Sequence, residues 1–77
     1  MEEQEMRFPD RATVDELRAT YPAGCRVRLV TMDDPHAPEP GTEGTVLGVD
    51  DAGSVMVAWD NGSSLSVAYG ADKCARL

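Results

Sequence analysis

The chain has 77 residues, with 14 Asp and Glu against 7 Lys and Arg, a formal net charge of −7 and a pI near 4.4. This length admits one small domain and excludes a second, and it leaves little room for a wide catalytic cleft beside a packed core. Leu, Val and Phe together number 14 and Ile is absent, just under the roughly 20% share at which high net charge begins to favour disorder.

The deficit lies at the front. Residues 1–13 contain no Leu or Val, only Met1, Met6 and Phe8 as large apolar side chains among Glu2, Glu3, Glu5 and Asp10. Residues 1–12 are therefore expected to form a flexible acidic tail. The acidic start MEEQEM is unlike the basic, then apolar, run of a secretion signal, and no stretch approaches the roughly 18 apolar residues of a membrane span, so a cytoplasmic setting is expected.

Thr13 and Glu16 have the spacing of a capping box, and Val14, Leu17 and Tyr21 fall on one stripe, which predicts a short helix over 13–23 stopped by Pro22 and Gly24. So short a helix needs a docking surface. That surface is either its own sheet or, through the same Val14/Leu17/Tyr21 stripe, a second copy of the chain.

From Cys25 the period changes to two. Cys25–Met32 alternates Arg26 and Arg28 with Val27 and Leu29, a strand with one wet and one dry face. Asp33–Gly44 holds three prolines and two glycines and reads as a long loop. Thr45–Val49 and Val55–Trp59 are the next strands, separated by the turn Asp50–Gly53, and Gly48 marks a bend or bulge. Asn61-Gly62 predicts a tight type I′ hairpin into a strand at Ser64–Val67, and Cys74–Leu77 adds a short fifth. Five short strands in so few residues are best accommodated by a mainly β fold, a small five-stranded barrel over 24–77 preceded by the helix.

Several runs carry a resemblance: Gly24-Cys25-Arg26-Val27, Met32-Asp33-Asp34-Pro35, Pro40-Gly41-Thr42-Glu43-Gly44-Thr45-Val46, Trp59-Asp60-Asn61-Gly62-Ser63-Ser64-Leu65 and Tyr69-Gly70. On these the chain resembles, from Gly24 to Leu77, the domain of unknown function 4314 family of short bacterial and phage proteins. It is more weakly similar to the SH3-like repeat of Mind bomb ubiquitin ligases, which binds extended peptides of receptor ligands. That similarity implies an SH3-like barrel; the Asp-Trp dipeptide that follows the repeat's first strand is missing here, so the repeat's partner does not carry over.

Pairing of the first and last strands, usual in SH3-like barrels, would bring Cys25 and Cys74 together as free thiols or as a disulfide; a cytosolic setting favours the former. No CxxC spacing supports a zinc site, so no metal or cofactor is expected. His36 beside Asp33 and Asp34 suggests a carboxylate–imidazole pair, yet no nucleophile accompanies it, and the chain is read as not an enzyme. Trp59 either completes the core face begun by Val55 and Val57 or keeps one ring face exposed beside Asp60.

The tentative binding surface is thus Asp33, Asp34, His36, Trp59, Asp60 and Tyr69, facing a protein or peptide segment that the acids Asp33, Asp34, Glu39 and Glu43 would select as basic. Residues 25–77 carry Arg26, Arg28, Lys73 and Arg76 against eight acids, which argues against a nucleic-acid ligand. The alternative is an acidic inhibitor or nucleic-acid-mimicking decoy of phage or mobile-element origin.

Overall fold

In the computed structural model, which describes residues 9–77, the helix begins two residues before the expected start. Most of the stretch read as an acidic tail, residues 1–8, lies outside the described residues. Helix α1 spans Arg11–Thr20, and its N-cap is Asp10, whose carboxylate accepts the Thr13 N–H at 2.8 Å. The Thr13–Glu16 capping box is therefore not the start signal: Thr13 is the third helical residue, and Asp10 already occupies its N–H. The helix ends at Thr20, short of the expected 23, with the Tyr21 N–H bonded to the Leu17 carbonyl and Pro22 next in line.

Five antiparallel strands follow: β1 Arg26–Thr31, β2 Glu43–Val49, β3 Ser54–Trp59, β4 Val67–Ala68 and β5 Lys73–Arg76, in the spatial order β4-β3-β2-β1-β5. β2 starts two residues earlier than its apolar pattern suggests because Arg28 pairs with Glu43 and Val27 with Gly44. The register of β2 on β3 shifts between Val46 and Gly48, so the bulge falls where the sequence placed it, and Leu47 is turned out to solvent.

The β3–β4 connection differs from its expected form. Gly62 donates to the Trp59 carbonyl, Trp59 donates to the Ser63 carbonyl, and Gly62 itself has φ +94. This is a three-residue loop with the left-handed residue last, not a two-residue type I′ turn. β4 then shrinks to two residues, because the Leu65 carbonyl is used by the Trp59 indole N–H at 2.8 Å and not by a neighbouring strand.

The core is almost entirely valine. Val27, Leu29, Val46 and Val57 are sealed from solvent, joined by Val49, Val55, Trp59 and Val67 from the sheet and by Val14 from α1. No polar or charged side chain is buried among the described residues, as expected where nothing in so small an interior could satisfy one. Leu17 and Tyr21 pack against the same cluster. Of the Val14/Leu17/Tyr21 stripe, Val14 is buried against the sheet and Leu17 and Tyr21 are half-buried.

β4 and β5 stand at opposite ends of the sheet order yet are joined by only Tyr69–Asp72, so the sheet has to curl until its edges approach. No ladder joins them among the described residues. The mainly β, five-stranded fold with one preceding helix is as expected, its sheet curled with an open seam between β4 and β5. Asp72 tacks that seam: its carboxylate accepts the Ala68 N–H at 2.9 Å and the Asp33 N–H at 2.8 Å, while its own N–H returns to the Ala68 carbonyl.

Candidate functional site

At the seam the side chains leave a cavity of about 360 Å³. Its walls are Leu17 from α1 and Tyr21 at its C-cap, Val30 from β1, Val55 and Val67 from β3 and β4, the turn residues Tyr69, Gly70 and Asp72, and Lys73 and Cys74 from β5. The cavity exists because β4 and β5 never pair; a continuous ladder there would fill it with side chains of two adjacent strands. Val30 and Tyr69, both about half exposed, leave apolar surface at its mouth.

Val30 is displaced into this position by a register shift in the β1–β5 ladder between Leu29 and Thr31. Its signal was present in the sequence as two adjacent apolar residues, Leu29 and Val30, that break the alternation of β1.

The remaining predicted site residues are dispersed. Of the six, only Tyr69 lines the cavity. Trp59 is 3% exposed and its indole N–H is bonded to Leu65, so it belongs to the core and offers no free ring face. Asp60 is held by Arg26, at 2.9 and 2.6 Å from the two guanidinium nitrogens, and that guanidinium also reaches Thr45 at 3.0 Å and Glu43 at 3.4 Å. The bonds to Arg26 hold the Asp60 carboxyl below the usual carboxylate range. Arg26, read from the sequence as one of two charges on a wet face, is a clip joining β1, β2 and the β3–β4 turn.

In the long loop, Asp34 accepts the His36 N–H at 2.7 Å, an Asx turn, and His36 is exposed. The Asp33 N–H goes to Asp72, which ties the loop to the seam beside Tyr69. The carboxylate–imidazole pair is thus a backbone turn. Among the described residues no group of three or more His, Cys, Asp or Glu side chains is placed to hold a metal ion, and no helix is long and apolar enough to cross a membrane.

The two thiols are free. The first and last strands pair, with Cys74 opposite Leu29 in the β1–β5 ladder, and both cysteines pack against the core cluster. Burial pushes the Cys74 thiol above its ordinary range, and burial followed by the neighbouring Cys74 does the same for the Tyr21 hydroxyl, which donates to the Cys74 carbonyl at 3.4 Å.

Comparison with known proteins gives one match. A family model described as "Domain of unknown function (DUF4314)" covers residues 10–77. No curated protein and no solved structure matches the chain.

Proposed function

The chain belongs to the DUF4314 family, and on that premise we propose that it is a non-enzymatic module that binds a protein or peptide segment by taking an apolar side chain into the seam cavity. The observation that carries this reading is the cavity itself, about 360 Å³ and walled mainly by Leu17, Val30, Val55, Val67 and Tyr69. A domain of this size gains stability by closing such a space, and an apolar hollow with exposed Val30 and Tyr69 at its rim has the character of a recognition pocket. Tyr69 contributes rigid contact area at low entropic cost. In this reading the loop and hairpin residues Asp34, Asp60 and Trp59 support the frame of the pocket. The bacterial, phage or mobile-element setting is that of the proteins the sequence resembles.

The decoy reading receives no comparable support. Among the described residues Asp10, Asp34, Asp50 and Asp72 are engaged with backbone N–H groups and Asp51 and Asp60 with arginines, so these six acids serve turns and clips.

Selection of a random peptide display library on the full chain tests the proposal. Selected peptides should share an apolar residue, and Tyr69→Ser should weaken their binding by about tenfold, the loss of one well-packed aromatic contact, with the chain still folded by circular dichroism. Selection of peptides that bind Tyr69→Ser and Val30→Ser as tightly as the unmodified chain would overturn it.

A further inference from the structure

One wall of the cavity is an unpaired strand edge. In the β1–β5 ladder the Leu77 N–H bonds the Arg26 carbonyl and Ala75 faces Arg28, so the backbone groups of Ala75 and Leu77 point toward β1. Alternation then directs the N–H and C=O groups of Cys74 and Arg76 off the free edge of β5. Among the described residues only one of these four groups has a partner: the Cys74 carbonyl, which receives the Tyr21 hydroxyl at 3.4 Å, the long limit of a hydrogen bond. β4 shows the contrast, since Asp72 and Ala71 occupy both backbone groups of Ala68. One edge of the seam is capped and the other is open.

Charge distinguishes the same edge. Arg11, Arg18 and Arg26 are each paired with a carboxylate, whereas Arg28, Lys73 and Arg76 form no ion pair with a described residue. All three lie on β1 and β5, two of them on the open edge strand and the third opposite Ala75. Among the described residues Lys73 is thus a cation without an ion-pair partner on the open edge strand beside the apolar hollow, while the Arg76 guanidinium donates to the Thr20 carbonyl at 3.0 Å.

We propose that the bound segment is an extended acidic–apolar stretch that adds to β5 as a further strand. Its backbone pairs with Cys74 and Arg76, one apolar side chain enters the cavity beside Tyr69, and a flanking carboxylate meets Lys73. The incoming N–H replaces the weakly held Tyr21 hydroxyl on the Cys74 carbonyl. Main-chain pairing supplies affinity in this mode of recognition, and the pocket supplies selectivity. The inference rests on the reading of the cavity as a side-chain pocket and adds the conformation and charge of what enters it.

The probe is a labelled peptide of about six residues alternating Glu with Leu or Val, titrated into the full chain by fluorescence anisotropy and by amide NMR. Binding should move the Cys74 and Arg76 amide protons downfield. N-methylation of the peptide N–H groups that face β5 should abolish binding while methylation of the alternate set is tolerated. Lys73→Glu should weaken binding about tenfold, and replacement of the peptide's Glu by Lys should do the same.

Equal tolerance of both methylation sets, or equal binding of the Lys-substituted peptide, overturns the added strand. If Tyr69→Ser still weakens binding in that case, the pocket survives and only this inference fails. If library-selected peptides bind through Tyr69 but this probe does not bind, the acidic extended ligand is again what fails. Indifference of every peptide to Tyr69→Ser removes both.

Discussion

Trp59 and Gly44 define one joint. Gly44 is opposite Trp59 in the β2–β3 register, and a methyl group there would lie 2.7 Å from Val57 Cγ1, 2.9 Å from the Ala58 carbonyl oxygen and 2.9 Å from Trp59 Cε3. One of those neighbours is backbone, so the strain cannot be relieved by a side-chain rotation. Gly44→Ala should therefore cost several kcal/mol, on the order of 3 or more. Gly62 has open space around it and only a positive φ to maintain, so Gly62→Ala should cost about 1 kcal/mol. Urea denaturation of the two variants checks the ranking. Equal losses would show that Gly44 is not a packing glycine. The same joint explains why Trp59 is lost to binding: its ring fills the space Gly44 leaves, and its one polar atom is satisfied inside the fold.

At the scale of elements, α1 is too short to stand alone and is fixed at three places. Asp10 caps its start; Arg18 reaches across to the Val49 carbonyl at 3.1 Å and to Asp51 at 2.8 Å; the Arg76 guanidinium meets the Thr20 carbonyl at its end at 3.0 Å. The apolar stripe between these polar ties packs on the sheet through Val14, Leu17 and Tyr21. Asp10→Ala should lower stability by about 1 kcal/mol while Thr13→Ala, at a position the helix does not use as its cap, should cost less. Thermal melts of the two variants separate the observed cap from the one the Thr13–Glu16 spacing suggests. Because Leu17 and Tyr21 also wall the cavity, loosening α1 should weaken ligand binding together with stability.

At the scale of the molecule, the charge balance sets how stability responds to pH. Asp10, held by the Thr13 N–H, and Asp51 and Asp60, held by Arg18 and Arg26, all have carboxyl pKa values lowered from the usual 3.8. The folded state then binds these protons less readily than the unfolded one, so their contribution is present above about pH 4 and disappears as pH falls through the lowered values. Cys74 and Tyr21 run the other way. Their raised values mean the folded state retains the proton, so stability declines once pH rises past the ordinary thiol value of 9.0. Denaturation midpoints should be level through neutrality and drop at both ends. Asp60→Asn should reduce the acid slope, and Cys74→Ser should reduce the alkaline one. A midpoint that keeps rising below pH 4 would contradict this assignment.

Local features follow from residue pattern alone. Alternation around Val27, Leu29, Val55 and Val57, the bulge at Gly48 and the glycine turn at Gly62 depend on neighbours within a few residues, and each is where the pattern put it. The mainly β class with one preceding helix follows from them. What tertiary structure decided is everything that depends on which strand lies beside which. The β1–β5 register sets Cys74 opposite Leu29, the Gly44 opening draws Trp59 inward, Arg26 captures Asp60, and the unpaired β4 and β5 edges leave the seam cavity. Of the predicted binding residues only Tyr69 lines that cavity. A pattern of period two specifies which face of a strand is dry but not its partner or its register, and in a sheet this small a site is made where two edges fail to meet.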